Sequence, residues 1–146
     1  ARDNSRTPMQ WDETENAGFS MATPWIKVNN NYKRGINVSA QEKDPNSVLN
    51  YFRKMIQVRK DHLGLVYGDY QLLLKENEAV YVYTRSLEDE RYLVILSFSP
   101  VATEINLNEI TFNGHELLIS NGVNEDLDIE TTFAVAPYQA LVFQLF

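Results

Sequence analysis

The chain has 146 residues, 44% hydrophobic and 12% aromatic, which excludes intrinsic disorder and suffices for one sizeable core or a small domain with an appendage. The net charge of −7, with no basic run longer than Lys33-Arg34, argues against nucleic-acid and anionic-membrane partners. The absence of cysteine excludes disulfides and thiolate metal sites and is compatible with the reducing cytosol. No apolar run reaches transmembrane length. We therefore expect a cytoplasmic protein without a membrane partner.

Residues 1 to about 36 are predicted to form a long loop, because they show little hydrophobic periodicity and are rich in Asn, Pro, Gly and Trp. The first twelve residues, Ala1–Asp12, are a dense run of Arg, Asp, Asn, Gln and Trp with one Pro. A loop of this length inside a compact domain is uncommon and usually functional. The segment therefore resembles the loop of a binding or catalytic site that a scaffold elsewhere would position.

One helix is predicted with its start and its stop. Asp44-Pro45-Asn46-Ser47 supplies capping residues and a Pro suited to the first turn, and Gly64 is a candidate stop. Between them, apolar residues recur every three or four positions, at Val48, Leu49, Phe52, Met55 and Ile56. A shorter helical turn is predicted over Val38–Glu42. The predicted helix is thus amphipathic, with one apolar face.

From Leu65 onward the pattern changes to period two and short apolar runs, which are typical of strands. Seven strands are predicted, at Asp69–Leu74, Ala79–Arg85, Tyr92–Phe98, Thr103–Asn106, Glu116–Ser120, Phe133–Val135 and Ala140–Leu145. Turn clusters separate them, among them residues 87–90, 112–115 and 121–124. Short strands with regular turns favour an antiparallel β-sandwich of Greek-key type. The fold class is therefore mainly β, with a long loop and a helix before the sandwich.

The residues contain no recognisable catalytic set. Glycoside hydrolysis needs two carboxyl groups flanking a pocket, one of them with a raised pKa, and no acid here lies at the end of an apolar strand. Asp12, Glu13 and Glu15 are interpreted as a solvated charge cluster. His62 and His115 are isolated and are interpreted as surface residues rather than ligands. We therefore expect no catalytic residue, no metal site and no cofactor in this chain.

Two groups of residues leave a binding function open. Many tyrosines of the β region, including Tyr70, Tyr81 and Tyr83, could form a sugar-binding platform, although aromatic residues on strands more often pack in a core or across strands. In the opening loop, Arg2 and Arg6 each present a fork of donors suited to a carboxylate or to sugar hydroxyls. For Arg6, Trp11 and Trp25 the favoured interpretation is that they attach the loop to its scaffold.

The opening loop resembles a segment of a known enzyme family. Residues 2–12, Arg-Asp-Asn-Ser-Arg-Thr-Pro-Met-Gln-Trp-Asp, are similar to the segment after the eighth barrel strand of α-glucosidases in glycoside hydrolase family 13. The branch concerned contains oligo-1,6-glucosidases, dextran glucosidases and trehalose-6-phosphate hydrolases. The likeness continues through Asn16-Ala17-Gly18-Phe19, residues 23–29 and Ser47–Lys60, and weakens in the β region.

The resemblance implies a fold and an activity for a longer parent enzyme. Family members are (β/α)8 barrels with a C-terminal antiparallel β domain, and their three catalytic carboxylates would all precede Ala1. Residues 1–64 would then be the tail of the barrel, with its last loop and last helix (Asn46–His62), and residues 65–146 the β-sandwich domain. The parent would be a retaining, exo-acting hydrolase of short α-glucoside oligosaccharides. The chain alone would be structural and inactive.

The resemblance carries one binding residue over. Arg2 matches the family Arg that closes the nonreducing-sugar subsite and pairs with an upstream Asp, so Arg2 is the substrate-binding candidate. The chain departs from the family pattern at Asn29-Asn30-Asn31-Tyr32 and at Lys33-Arg34-Gly35, which leaves the conformation of that loop open. Without the barrel as partner, the helix face would drive self-association or pack onto the β domain. The alternative is a stand-alone β-sandwich module that binds carbohydrate or another partner.

Overall fold

The computed structural model describes residues 2–122 and 129–146, without the side chains of Arg2 and Asn4. The chain divides into two compact units, residues 1–54 and residues 55–146. The second half of the turn predicted at 121–124 lies outside the described residues. Within the described residues, no helix has both the length and the apolar character that a membrane crossing requires.

The first unit contains little regular structure, as the sequence predicts for residues 1–36. Its loop is interrupted by short 3₁₀ turns at Arg2–Arg6, Glu15–Gly18 and Asn30–Arg34. Helix α1 follows at Val38–Lys43, one residue longer than the predicted turn. Ala17, Val28 and Tyr32 are buried together and form the small core of this unit. The loop is therefore folded around apolar residues of its own.

Helix α2, Val48–Asp61, confirms the predicted helix within two residues at either end. Ser47 caps it: the Ser47 Oγ accepts the backbone N–H of Asn50 at 3.2 Å and donates to the Gln41 carbonyl at 2.7 Å. The prediction that Pro45 occupies the first helical turn is wrong. Pro45 lies in a turn before the helix, because the cap is Ser47 and the helix begins after it.

The prediction that Gly64 ends the helix is also wrong. Helix α2 ends at Asp61, and Gly64 is the first residue of a short helix, α3, Gly64–Tyr67. Gly64 is needed here for space rather than for a left-handed backbone, since a Cβ atom at this position would lie 2.5 Å from the Tyr92 ring. Two guanidinium groups hold α3 in place, because Arg59 and Arg85 donate to its Leu65 and Val66 carbonyls at 3.1 and 3.0 Å.

All seven predicted strands are present in the second unit, each within two residues of its predicted bounds. They are β1 Asp69–Leu73, β2 Val80–Leu87, β3 Glu90–Ser97, β4 Thr103–Asn106, β5 His115–Ser120, β6 Thr132–Val135 and β7 Ala140–Leu145. The five-stranded sheet has the order β1-β2-β3-β7-β5, and β4 pairs with β6 in a second sheet. Every pairing is antiparallel. Between β3 and β7 the chain passes from one sheet to the other at each connection, and β7 enters the five-stranded sheet between β3 and β5.

The core of the second unit lies between the two sheets. Leu73, Val82, Leu93, Ile95, Leu141 and Phe143 project from the five-stranded sheet, and Ile105, Phe133 and Val135 project from the two-stranded sheet. Burying each such side chain stabilises the fold by ~1.5–3 kcal/mol. The alternation of these residues with residues of the opposite face confirms the sandwich predicted from period two.

The opposite face of the five-stranded sheet positions the tyrosines. On β2, Tyr81 and Tyr83 alternate with the core residues Val80 and Val82. Helix α3 packs on β2 and β3 over part of this face, and Tyr92 is fully buried. Near the sheet edge that β1 forms, the face stays open, and Tyr70 and Tyr81 are 47% and 40% exposed.

Candidate functional site

Arg2, the predicted substrate-binding residue, begins the 3₁₀ turn Arg2–Arg6, but its side chain lies outside the described part of the chain. Its role therefore stays a prediction. The three residues interpreted as attaching the loop to a scaffold are all exposed: Arg6, Trp11 at 50% and Trp25 at 82%. Half of Trp11 and most of Trp25 remain exposed, so the attachment they would make also stays a prediction.

The loop after Arg2 is ordered by Asp12. The Asp12 carboxylate accepts the backbone N–H and the hydroxyl of Thr14 at 2.8 and 2.5 Å, and these bonds lower the pKa of the Asp12 carboxyl. A Cβ atom at Gly18 would lie 2.7 Å from both Asp12 oxygens, and the φ of Gly18 is +67°. Glu13 and Glu15 are exposed as expected, whereas Asp12 is half-buried and holds the turn. Asp12 is therefore a loop-ordering residue.

Backbone hydrogen bonds close this loop onto α1. The Gln10 and Trp11 carbonyls accept the N–H groups of Val38 and Ser39, each at 2.9 Å, and the Gln10 side chain donates to the Ile36 carbonyl. Asn37 caps α1 by accepting the Ala40 N–H at 2.8 Å and donates to the Tyr32 carbonyl at 2.8 Å. The loop that precedes α1 is thus ordered and closed by hydrogen bonds.

The segment that departs from the family pattern fits inside this closed loop. Residues Asn30–Arg34 form a 3₁₀ turn that ends at Gly35, whose φ of +82° lies in the left-handed region open to glycine. Tyr32 of this turn is buried against Val28 and Ala17. The conformation that the sequence left open is therefore a glycine-terminated turn anchored by a tyrosine.

The first unit exposes a large apolar surface. Met9, Phe19, Met21, Ile36, Val48 and Phe52 are each about half exposed or more, as are the two tryptophans. None of the residues of α2 is buried. This unit therefore leaves many apolar side chains in contact with solvent.

Three tyrosines of the second unit lie together on β1 and β2. The hydroxyls of Tyr70 and Tyr81 are 2.8 Å apart and hydrogen-bonded, and the Tyr83 ring lies 5.3 and 5.4 Å from the rings of Tyr70 and Tyr81. The hydrogen bond with Tyr81 raises the pKa of Tyr70 to about 12, and burial raises the pKa of Tyr83. These three residues, the tyrosine cluster, present neighbouring flat rings, and the hydroxyls of Tyr70 and Tyr81 are held together by their hydrogen bond.

A second polar group, which sequence reasoning missed, joins α3 to β3. The Tyr92 hydroxyl donates to Glu90 Oε2 at 2.9 Å, and the same oxygen accepts the Gly64 N–H at 3.1 Å. His62 Nδ1 lies 3.2 Å from the Tyr92 oxygen. Because the hydroxyl gives its only proton to Glu90, the oxygen accepts from His62, which fixes the Nδ1–H tautomer. Burial and the Glu90 hydrogen bond raise the pKa of Tyr92 to about 12.

The interpretation of both histidines as surface residues is wrong. His62 is half-buried against the Tyr92 ring, at 5.5 Å between ring centres. His115 is also half-buried; it lies edge-on to Phe112 and Phe143, and its Nε2 accepts the Ile129 N–H at 3.3 Å. Each histidine packs against an aromatic ring and makes a hydrogen bond, because imidazole combines an apolar face with polar atoms at its edge. Within the described residues, no three His, Cys, Asp or Glu side chains gather as metal ligands would.

Comparison with known families matches both parts of the chain. Residues 1–68 match the α-amylase catalytic domain, and residues 70–142 match the maltogenic amylase C-terminal domain. The chain belongs to the α-amylase family, glycoside hydrolase family 13. The meeting point of the two matches follows α3 directly, so the all-β part corresponds to the C-terminal domain of these enzymes.

Relatives in glycoside hydrolase family 13 cover nearly the whole chain. An oligo-1,6-glucosidase of Parageobacillus thermoglucosidasius is 46% identical over 99% of this chain and 26% of its own length. The trehalose-6-phosphate hydrolase of Bacillus subtilis (strain 168) is 37% identical over 99% of this chain and 26% of its own length. The chain thus spans about a quarter of the length of the curated relatives it matches.

Solved structures of the same family reproduce the fold. A trehalose-6-phosphate hydrolase of Bacillus licheniformis aligns at a TM-score of 0.90 with 41% identity, over 99% of this chain and 26% of that chain. An isomaltulose synthase of Klebsiella sp. LX3 aligns at a TM-score of 0.89 with 40% identity, over all of this chain and 26% of that chain. A hydrolase and a synthase therefore share this C-terminal architecture.

Proposed function

We propose that this chain is the C-terminal portion of a retaining, exo-acting α-glucosidase that hydrolyses terminal α-linked glucose from short oligosaccharides. One observation carries the proposal: oligo-1,6-glucosidases cover 99% of the chain at up to 46% identity, while the chain covers about a quarter of them. A retaining glycosidase needs two carboxyl groups about 5–5.5 Å apart. In the proposed enzyme both carboxyl groups lie upstream of this chain. We also propose that the enzyme is cytoplasmic, with which the absence of cysteine is compatible.

Within this proposal the two parts of the chain have separate tasks. Residues 1–64 supply the last loop and last helix of the barrel, and residues 65–146 form the β-sandwich domain. The catalytic barrel that would precede them is the partner of the apolar residues exposed on the loop and on α2. The number of exposed apolar side chains supports this partner, because a surface of that kind is costly to leave in water.

Arg2 is the residue through which the chain would reach the substrate. Its guanidinium would pair with an upstream Asp and hold the hydroxyls of the terminal glucose, which blocks longer glucans from extending past the subsite. The ordered segment that follows Arg2 supports this role, because Asp12, Asn37 and the backbone bonds to α1 hold it in a closed loop. The sugar contact itself would need the upstream wall of the pocket.

A comparison of activities tests the proposal. The full-length polypeptide and the 146-residue chain are each incubated with an aryl α-glucoside, and the released phenol is measured together with the anomeric form of the first product. We expect turnover with retention from the full-length polypeptide and none from the chain. Turnover by the chain, or inversion by the full-length protein, would contradict the proposal.

The tyrosine cluster favours a second candidate function, a carbohydrate-binding module. Tyr70 and Tyr81 are exposed on adjacent strands and could stack on a pyranose ring while their hydroxyls bind its hydroxyls. Calorimetric titration of the chain with maltose and isomaltose separates the two candidates, since the first expects no binding. Under the second candidate, Tyr70→Ala abolishes the heat of binding, whereas Tyr138→Ala, at an exposed tyrosine outside the cluster, leaves it unchanged.

A further inference from the structure

Two Asn-Gly pairs occur in the chain, at Asn113-Gly114 and Asn121-Gly122. In this dipeptide the backbone nitrogen of the glycine can attack the side-chain carbonyl carbon of the asparagine, because glycine has no side chain to hinder the approach. Asparagine is accordingly among the heat-labile residues of proteins. The fold restrains the reacting groups of the two pairs to different degrees, so we expect the reaction to proceed at different rates.

At Asn121-Gly122 both reacting groups are held. The Asn121 side chain donates to the Tyr138 carbonyl and accepts the Ala140 N–H, each at 2.8 Å. The nitrogen that would attack, in Gly122, donates to the Ser120 Oγ at 2.9 Å. A reaction here would first break three hydrogen bonds.

At Asn113-Gly114 the side-chain amide and the backbone nitrogen are only weakly restrained. Asn113 is exposed, and its side-chain amide makes no hydrogen bond to any residue that the structure describes. The Gly114 N–H donates to the Phe146 carbonyl at 3.3 Å, sharing that oxygen with the Asn113 N–H, which holds it at 2.6 Å. The attacking nitrogen is therefore weakly held, and the asparagine side chain is free to turn toward it.

We propose that Asn113 is a site of spontaneous deamidation and isomerisation, and that the fold protects Asn121. The Gly114 nitrogen loses its proton to a solvent base and bonds to the Asn113 Cγ, and ammonia leaves as the five-membered succinimide forms. Water then opens the ring at the main-chain carbonyl to give isoaspartate, or at the side-chain carbonyl to give aspartate. One water enters, one ammonia leaves, and nothing is oxidised or reduced.

Isoaspartate at position 113 would alter one end of the five-stranded sheet. It places an additional carbon in the backbone between residues 113 and 114, where Asn113, Gly114 and Phe146 exchange three hydrogen bonds. Next to them, His115 pairs with Leu145 at the end of β5 and β7. The register of these bonds cannot survive the longer backbone, so this sheet end loosens after the modification.

Peptide mapping by mass spectrometry tests the proposal on the folded 146-residue chain held at mildly alkaline pH. Holding Asn121 with two side-chain hydrogen bonds of ordinary strength corresponds to a rate difference of about thirtyfold, or about 2 kcal/mol. We therefore expect the amide-to-acid mass increase, and isoaspartate, at Asn113 about thirtyfold faster than at Asn121. In concentrated urea the two rates should converge, because the fold supplies the difference.

The variant Gly114→Ala is the matched control. An added Cβ would lie 3.7 Å from the Phe146 ring, an ordinary contact, so the fold accepts the change while the methyl group hinders the attack. We expect the reaction at Asn113 to slow strongly and the rate at Asn121 to stay the same. Equal rates at the two asparagines in the folded chain, a faster reaction at Asn121, or no reaction at Asn113 would each overturn the proposal.

Discussion

At the scale of single residues, Gly64 makes room for the Tyr92 ring, and Tyr92 then connects the residues around it. The Tyr92 ring occupies the space that a side chain at residue 64 would need. Its hydroxyl then reaches Glu90, which also accepts the Gly64 N–H, and His62 donates to the Tyr92 oxygen. One carboxylate oxygen thus serves two donors, and the end of the helical segment is tied to β3.

The substitution Gly64→Ala should destabilise the chain by about 1–3 kcal/mol, because the added methyl group overlaps the fully buried Tyr92 ring. Urea unfolding followed by circular dichroism measures this change. The control is Gly114→Ala, where the added methyl group meets only an ordinary contact and should change stability little. Equal losses in the two variants would contradict the steric explanation.

Tyr92 should also make the stability depend on alkaline pH. Its pKa is raised in the folded state to about 12, from 10 in the unfolded chain, so its contribution is complete below pH 10 and is lost as pH rises toward 12. Stability measured by urea unfolding should therefore fall over this interval. In Tyr92→Phe the chain should be less stable at neutral pH and should show a weaker decline. Tyr70→Phe is the comparison, because the pKa of Tyr70 is also raised to about 12. Measuring both variants shows which of the two tyrosines causes the decline in stability.

Arg2 is predicted to act only in the full-length enzyme. There, Arg2→Lys should lower kcat/KM for a short α-glucoside by about ten- to a hundredfold, because it removes charged hydrogen bonds worth about 1.5–3 kcal/mol. Glu13→Gln, at an exposed residue of the same loop, should change kcat/KM by less than about twofold. Steady-state kinetics on both variants decides the matter, and equal effects would remove the special role of Arg2.

At the scale of elements, α2 is an amphipathic helix whose apolar face stays open. Val48 is 78% exposed and Phe52 is 51% exposed, although the sequence periodicity predicts that such residues face a core. Most helical stability in proteins comes from packing an apolar face, so an open face is a place where the molecule can gain stability by binding. Self-association of the chain through this face is the outcome that we propose.

Light scattering should therefore show a concentration-dependent mass above that of the monomer. The double variant Val48→Ser with Phe52→Ser should shift the chain toward the monomer, because it removes apolar area from the open face. Lys54→Ser, at an exposed polar position of the same helix, serves as the control and should leave the mass unchanged. A monomeric wild-type chain at all concentrations would contradict self-association.

The bounds of the strands and of α2 follow from local periodicity, whereas the roles of Gly64 and His62 do not. Period two identifies a strand with one buried face, and Val80, Val82 and Thr84 alternate with Tyr81 and Tyr83 accordingly. Local sequence does not predict these roles, because the shared partner of Gly64 and His62, Tyr92, is about thirty residues away in the sequence. No local pattern contains the Tyr92 ring that requires a glycine or the hydroxyl that accepts from the histidine.

At the scale of the whole molecule, both parts of the chain point to a larger enzyme. The exposed apolar groups of the first unit and the open tyrosine-bearing face of the sandwich are both surfaces that a neighbouring domain could cover. We interpret residues 65–146 as a stabilising domain of the proposed parent. The catalytic carboxylates of that parent would lie outside this chain. The chain would therefore contribute a loop of the active site but none of the catalytic groups.

Removal of residues 65–146 from the full-length enzyme should therefore lower its thermal stability more than it alters the chemistry. We expect the midpoint of thermal unfolding to fall and aggregation to rise, because in the proposed parent the sandwich would cover apolar surface that its removal exposes. Calorimetry and a glucosidase assay below the new midpoint measure the two effects. Loss of activity with an unchanged midpoint would instead assign the domain a direct role in substrate binding.

By itself, the sequence determined the family, the seven strands and the amphipathic helix, because short motifs and hydrophobic periodicity are local properties of the chain. The tertiary structure decided how β7 enters the sheet between β3 and β5, how Asp12 and Gly18 close the opening loop, and how Tyr92 gathers His62, Gly64 and Glu90. It also separated two identical Asn-Gly pairs into one held and one open. These features depend on contacts between distant residues, and such contacts exist only once the chain has folded.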